Sequence, residues 1–212
     1  MTGSKIDSEN SGKKLLIKYM VCMRDKELVK DELNQMDLSY RISDHGAIVF
    51  LEEITSVQQN ELKKRLLKQG MVLLDEAESV VIDRIISTIV ETIHCSDKLP
   101  KLSFADIISE HSELRSESVL KIFSDVQGMS IIQFIVTQKI ERAKELLLYE
   151  DRSLSEITDI LQYENKDLLV AQFKKHTGLT PDYFLRLKRE RQKISSQYSN
   201  PSVLDKPNGN KV

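Results

Sequence analysis

The stretch "FKKHTGLTPDYF", Phe173–Phe184, ends one helix, stops it at a glycine and starts another. The stretch "FSDVQGMSIIQF", Phe123–Phe134, repeats that cadence: a phenylalanine five residues before the glycine and a second one six residues after it. A helix–stop–helix cadence that recurs is the mark of a repeated supersecondary unit.

Worked outward from these stretches, the second half of the chain reads as helix after helix. Capping-box spacings recur at Ser103/Asp106, Ser130/Gln133 and Ser153/Glu156, where a hydroxyl and an acid or amide three residues on satisfy each other's backbone N–H groups. Gly128 and Gly178 sit at helix stops, and Thr180-Pro181 supplies an N-cap followed by proline at the first helical position. The first copy is "SFADIISE" then "SESVLKIFSDVQG"; the second is "SLSEITDILQ" then "NKDLLVAQFKKHTG". Between them "SIIQFIVTQKIERAKELLLYE" is long enough for a connecting rod over Ile131 to Leu148. Two helix-turn-helix units on a rod would place each second helix in a major groove, about one DNA turn apart.

The first half changes period repeatedly. "LLIKYMV" is a short β-prone run, and "KELVKDELNQM" has helical spacing at Leu28, Val29, Glu32 and Leu33. "SYRISDHGAIVFL" holds two alternating runs split by Asp44-His45-Gly46, a hairpin signal. Thr55 and Gln58 form a capping box for "SVQQNELKKRLLKQG", which stops at Gly70, and "MVLLD" is a fourth strand. The order β-α-β-β-α-β is that of a small ferredoxin-like sandwich. A periodic helix over "ESVVIDRIISTIVETIH" follows, either packed on its own sheet or paired with a second subunit. The expected fold class is therefore α+β, with an all-α double helix-turn-helix domain after the sandwich. Its expected parts are a polar tail at 1–13, a sensor or dimerisation domain with its linking helix at 14–96, the helical domain at 97–193 and a second polar tail at 194–212.

Composition limits the function. The chain has 212 residues, 40% hydrophobic and 30% charged, with 7 Gly and 4 Pro. So few helix breakers favour helix over an all-β plan. Its net charge of −2, nearly even between the halves, gives no global basic signal for nucleic acid or membrane. Two cysteines, Cys22 and Cys95, make no disulfide framework and point to a reducing compartment, taken as the cytoplasm. No apolar run reaches the length of a membrane span, and the N-terminus lacks a signal-peptide core. Four scattered histidines and the lack of a nucleotide-binding glycine loop leave no catalytic set and no bound cofactor to expect.

The helical half resembles the AraC/XylS-type transcriptional regulators over Leu102 to Arg191, chiefly in "KIERAKELLL", Ile157, Tyr163, "QFKK", Gly178, "TP" and Tyr183-Phe184. The N-terminal half is similar, more weakly, to the small domain that accompanies this module in short Bacteroidetes-type regulators. The resemblance implies sequence-specific binding of double-stranded DNA, with homodimerisation and a small-molecule effector as the roles open to the N-terminal domain. By the same alignment the outward positions are Ser116, Glu117, Leu120 and Lys121 in the first unit, and Lys166, Asp167, Val170 and Ala171 in the second. Lys174, Lys175 and the run "RLKRERQK" are the candidates for phosphate contact.

Where the family carries serine-like and arginine-like side chains, this chain has Val170 and Ala171, within "LLVA". Small apolar groups pack on thymine methyls, or serve as surface for another protein, so a protein-binding adaptor is the alternative. A smaller alternative is metal response: Met20, Cys22 and Asp25 resemble the M-x-C-x-x-C turn of small copper-carrying domains. Asp25 replaces the second thiolate there, which soft Cu(I) disfavours, so Cys22 is the weak candidate ligand.

Overall fold

A computed structural model describes residues 12–43, 45–100, 116–150 and 152–198. The Ser103/Asp106 box, the helix expected over "SFADIISE", Asp44 of the hairpin and most of both polar tails lie outside the described residues. The chain divides into two compact units, Met1–Val90 with Leu102–Phe134 and Glu91–Lys101 with Ile135–Val212.

The first unit opens with β1 (Lys14–Leu15) and β2 (Ile17–Lys18), then α1 (Met23–Gln35), β3 (Tyr40–Ile42), β4 (Ile48–Phe50), α2 (Ser56–Lys68), β5 (Val72–Leu73) and α3 (Glu76–Cys95). All pairings are antiparallel: β1 with β4, β4 with β3, and β2 with β5. The single strand expected over "LLIKYMV" is broken at Leu16 and ends at Tyr19, which adopts a left-handed φ of 68°. Leu16 donates its N–H to Ser79 Oγ on α3 at 3.1 Å, and its carbonyl accepts from Leu74 N–H at 2.9 Å. Its two backbone groups are thus both satisfied, although it belongs to neither ladder.

Side chains alternate across the broken strand, so Leu15 and Ile17 enter one core with Val29 and Leu33 of α1 and Leu62 and Leu66 of α2. The capping box at Thr55 and Gln58 forms as the spacing predicts. On α3 the buried apolar positions are Ile82, Ile85, Ile86, Ile89 and Ile93, with Ser79 buried beside them, whereas Val80 is 40% exposed.

The first unit continues with α4 (Ser116–Gln127) and the start of α5 (Ile131–Tyr149). Phe123, fully buried, meets Phe134 edge-on with centroids 5.5 Å apart. The end of α4 is tied to the strands: Tyr19 N–H donates to the Asp125 carbonyl at 2.8 Å, and Gln127 Nε2 donates to the His45 carbonyl at 3.3 Å.

In the second unit, α6 (Leu154–Ile160), α7 (Lys166–Thr177) and α8 (Pro181–Tyr198) follow the rest of α5. The two ring nitrogens of His94 lie 3.3 Å from Glu145 Oε2 and 3.1 Å from Gln138 Oε1. Residues 194–198, expected in the tail, are helical: α8 runs on through the Glu190–Lys193 pair, with no glycine or proline to stop it. No single described helix is long and apolar enough to cross a membrane.

Ser79→Ala removes the partner of a buried N–H and fills its place with nothing polar. The expected loss is about 1–3 kcal/mol, read as a lower urea midpoint with an unchanged slope.

Candidate nucleic-acid interface

The α6–turn–α7 segment is built from local chemistry. Ser153 and Glu156 close a capping box at the start of α6, with Ser153 N–H to Glu156 Oε2 at 2.7 Å and Glu156 N–H to Ser153 Oγ at 3.2 Å. The Ser153 backbone N–H, and after it the Ser153 hydroxyl, hold the Glu156 carboxyl below its ordinary range. The chain leaves α6 through Gln162 at φ 52°, a left-handed position common at helix ends. Asn165 then caps α7, its Oδ1 accepting from Leu168 N–H at 2.8 Å. At the far end Gly178 takes φ 73° and returns its N–H to the Lys174 carbonyl at 2.9 Å.

Rotation of α7 about its axis is set by its inner face. Leu169 and Phe173 are fully buried, and Phe173 meets Phe184 of α8 edge-on at 5.0 Å and 87°. At about 100° per residue the side opposite these two is centred on Ala171. Asp167 and Leu168 precede it by one turn, and Lys174 and Lys175 follow by one turn. All five are exposed, as is Lys166 at the start.

Polar acceptors near this face are few, because the oxygens of two amides beside it are already engaged. The Asn165 oxygen caps the helix, and Gln172 Oε1 accepts from the Tyr163 hydroxyl at 3.0 Å. Burial pushes the Tyr163 phenol up to about 12 and pushes the Lys139 ammonium, 5.1 Å over its ring, down.

Charge on the helices is distributed unevenly. Arg142 binds Glu145 and Glu150, Lys144 binds Glu141, and Arg152 binds Glu150 and Glu156. Lys121, Lys166, Lys174 and Lys175, by contrast, are exposed and stand outside every ion pair among the described residues. A chain of net charge −2 therefore still offers uncompensated positive charge along α7. The run "RLKRERQK" is more occupied than expected. Lys188 donates to the Glu150 carbonyl at 2.8 Å, Lys193 pairs with Glu190, and Arg186 and Arg191 lie over Tyr183 and Tyr149.

The sequence-predicted residues fall as follows. Asp167, Ala171, Lys174 and Lys175 share the outer side of α7, and Lys166 is exposed at its first position, on the side of the buried pair; Val170 is half-buried on the flank and Leu168, 37% exposed, occupies the outer position instead. On α4, Glu117, Leu120 and Lys121 are exposed, and Ser116 is its first residue. Cys22 and Asp25 do meet, but as the start of α1: Asp25 Oδ2 accepts the N–H groups of Val21 and Cys22, each at 2.9 Å. Those hydrogen bonds hold its carboxyl below the ordinary range, and among the described residues no group of three or more His, Cys, Asp or Glu could hold a metal. The engagement of Asn165 and Gln172 was legible in part: the N-cap position of Asn165 is a sequence signal, whereas the Tyr163–Gln172 bond is not.

Comparison with known proteins places a helix-turn-helix domain at residues 108–187, less than half of the chain. The chain is 34% identical over 77 residues to the xylose operon regulatory protein of Haemophilus influenzae, covering 36% of this chain and 20% of that one. It is 23% identical over 121 residues to the bifunctional transcriptional activator/DNA repair enzyme AdaA of Bacillus subtilis, covering 49% and 56%. The chain thus spans little more than half, or less, of the length of these curated relatives. Among solved structures, it is similar to the DNA-binding domain of AdpA in complex with a target DNA, at 17% identity and a TM-score of 0.46 over 54% of this chain and 98% of that one.

The Tyr163 environment gives a pH signature. The unfolded chain releases this proton near 10.0 and the folded one near 12. The contribution to stability is therefore intact below pH 10 and lost as pH rises to about 12. A tyrosinate absorbance titration should show a late step that Tyr163→Phe abolishes.

Proposed function

We propose that the chain is a DNA-binding transcriptional regulator of the AraC/XylS type. The observation that carries this reading is the outer face of α7: exposed lysines without acidic partners among the described residues, on the second helix of a helix-turn-helix whose rotation is fixed by Leu169 and Phe173. Lysines of this kind neutralise phosphates and release counterions, and the first two turns of such a helix reach base edges. In the proposed mechanism α7 enters a major groove with Lys166 and Asp167 at the base edges and Lys174 and Lys175 toward phosphate. Ser116, Glu117, Leu120 and Lys121 of α4 are proposed to read a second element in the same manner.

For the N-terminal part we propose a ferredoxin-like sandwich that acts as a sensor or dimerisation domain, with the helical domain beginning near residue 97. The spatial order β5, the broken strand β2/β1, β4, β3 supports it, as does the helix pair α1 and α2 on one core. The second reading, an adaptor that binds a protein partner, is favoured by the exposure of Leu168 and Leu120, 37% and 38%, because exposed apolar groups mark interaction surfaces when they gather in a patch.

Selection of random duplexes by the purified protein at two salt concentrations separates the readings. Enrichment of a motif establishes a reader, and no enrichment at either salt leaves the adaptor. On the enriched duplex, Lys174→Ala and Lys175→Ala should each lower the slope of log K against log salt by about 1 while leaving the preferred sequence unchanged.

A further inference from the structure

The centre of the outer face of α7 carries no hydrogen-bonding side chain, although Asp167 stands beside Leu168 one turn before it. Ala171 is its centre, Leu168 stands one turn before it, and both are exposed. The nearest amides have their oxygens engaged inside the protein, Asn165 Oδ1 by the Leu168 N–H and Gln172 Oε1 by the Tyr163 hydroxyl, which leaves their NH2 groups as donors at the edge of this face. Lys166 and Asp167 are the charged groups of the first turn. Hydrocarbon at this position cannot distinguish the acceptors and donors that separate most base pairs in the major groove. It can distinguish the one apolar group displayed there, the C5-methyl of thymine. The apolar pair is flanked by exposed lysines on both sides along the helix, Lys166 before it and Lys174 and Lys175 after it. That order matches a duplex groove bordered by phosphates.

We infer that Leu168 and Ala171 form a methyl-reading pair: the DNA element contacted by α7 is chosen by pyrimidine C5-methyl groups, with Asp167 accepting from an adjacent cytosine or adenine amino group. This assignment rests on the regulator reading. It commits to a substrate class for that helix, a thymine-containing element in which the methyl, and not the O4 oxygen, carries the preference. Two consequences follow from the chemistry. Replacing thymine by deoxyuridine removes the methyl and leaves every hydrogen-bonding group in place. Methylating a cytosine at C5 supplies the methyl without the thymine O4.

The experiment uses the full chain and the duplex enriched in selection, with the thymines of one element at a time replaced by deoxyuridine. In one element each replacement should weaken binding about fourfold per methyl lost from contact. In that same element, a cytosine substituted for the thymine should bind better as 5-methylcytosine than as cytosine. Leu168→Ala, at a position exposed enough to spare the fold, and Ala171→Gly should each reduce the thymine-to-uridine ratio toward one there. Neither variant should alter the ratio in the other element. Equal binding of thymine and deoxyuridine duplexes overturns the inference while leaving the reader function standing. A thymine-to-uridine ratio that both variants leave intact removes these two residues from the role. Absence of any enriched motif overturns the inference together with the regulator reading on which it rests.

Discussion

An edge-on pair of phenylalanines across a left-handed glycine is the contact on which the helical part depends. Phe173 and Phe184 meet at 5.0 Å with Gly178 at φ 73° between them; Phe123 and Phe134 meet at 5.5 Å with Gly128 at φ 67° between them. The glycine lets the chain reverse without a Cβ penalty, and the ring contact fixes the angle at which the next helix leaves. The outer face of α7 follows from this, because a helix anchored by Phe173 and Leu169 on one side has only one side left to offer. Replacing Phe173 by a small residue would release that constraint at a cost of about 3–5 kcal/mol.

Electrostatics then separate the groups that hold the fold from those left over. Arg142, Lys144 and Arg152 are consumed by carboxylates within the second unit, and Lys188 by a carbonyl. The lysines of α7 have no such partner among the described residues. A global charge near zero therefore says little about local affinity, since internal pairs cancel in the sum but contribute nothing to the surface facing a ligand.

Much of this was legible in the sequence where the signal is local. The capping boxes at Thr55 and Ser153, the hairpin at Gly46 and the Phe–Gly–Phe cadence all depend on residues a few positions apart, and all appear. Contacts between distant residues left no such trace. Ser79 reaching Leu16, which breaks the first strand, lies 63 positions away, and Tyr19 binding Asp125 lies 106 away. The site was readable to the same extent. Alignment put Val170 on the outer face by position, but helical rotation set by the buried pair turns it to the flank and brings Leu168 out. Asp167 and Ala171 stand opposite Leu169 and Phe173 in the 3.6-residue period, whereas Lys166 lies on the side of the buried pair and is exposed only because it begins the helix.

If α7 presents its outer side to duplex DNA, the contact should be visible residue by residue. Amide and side-chain chemical shifts of the isotope-labelled chain, followed by NMR as duplex is added at low salt, test this most directly. The shifts should concentrate at Lys166, Asp167, Leu168, Ala171, Lys174 and Lys175 and fade as salt is raised. Shifts that bypass α7, or none at a duplex concentration that saturates binding, would contradict it.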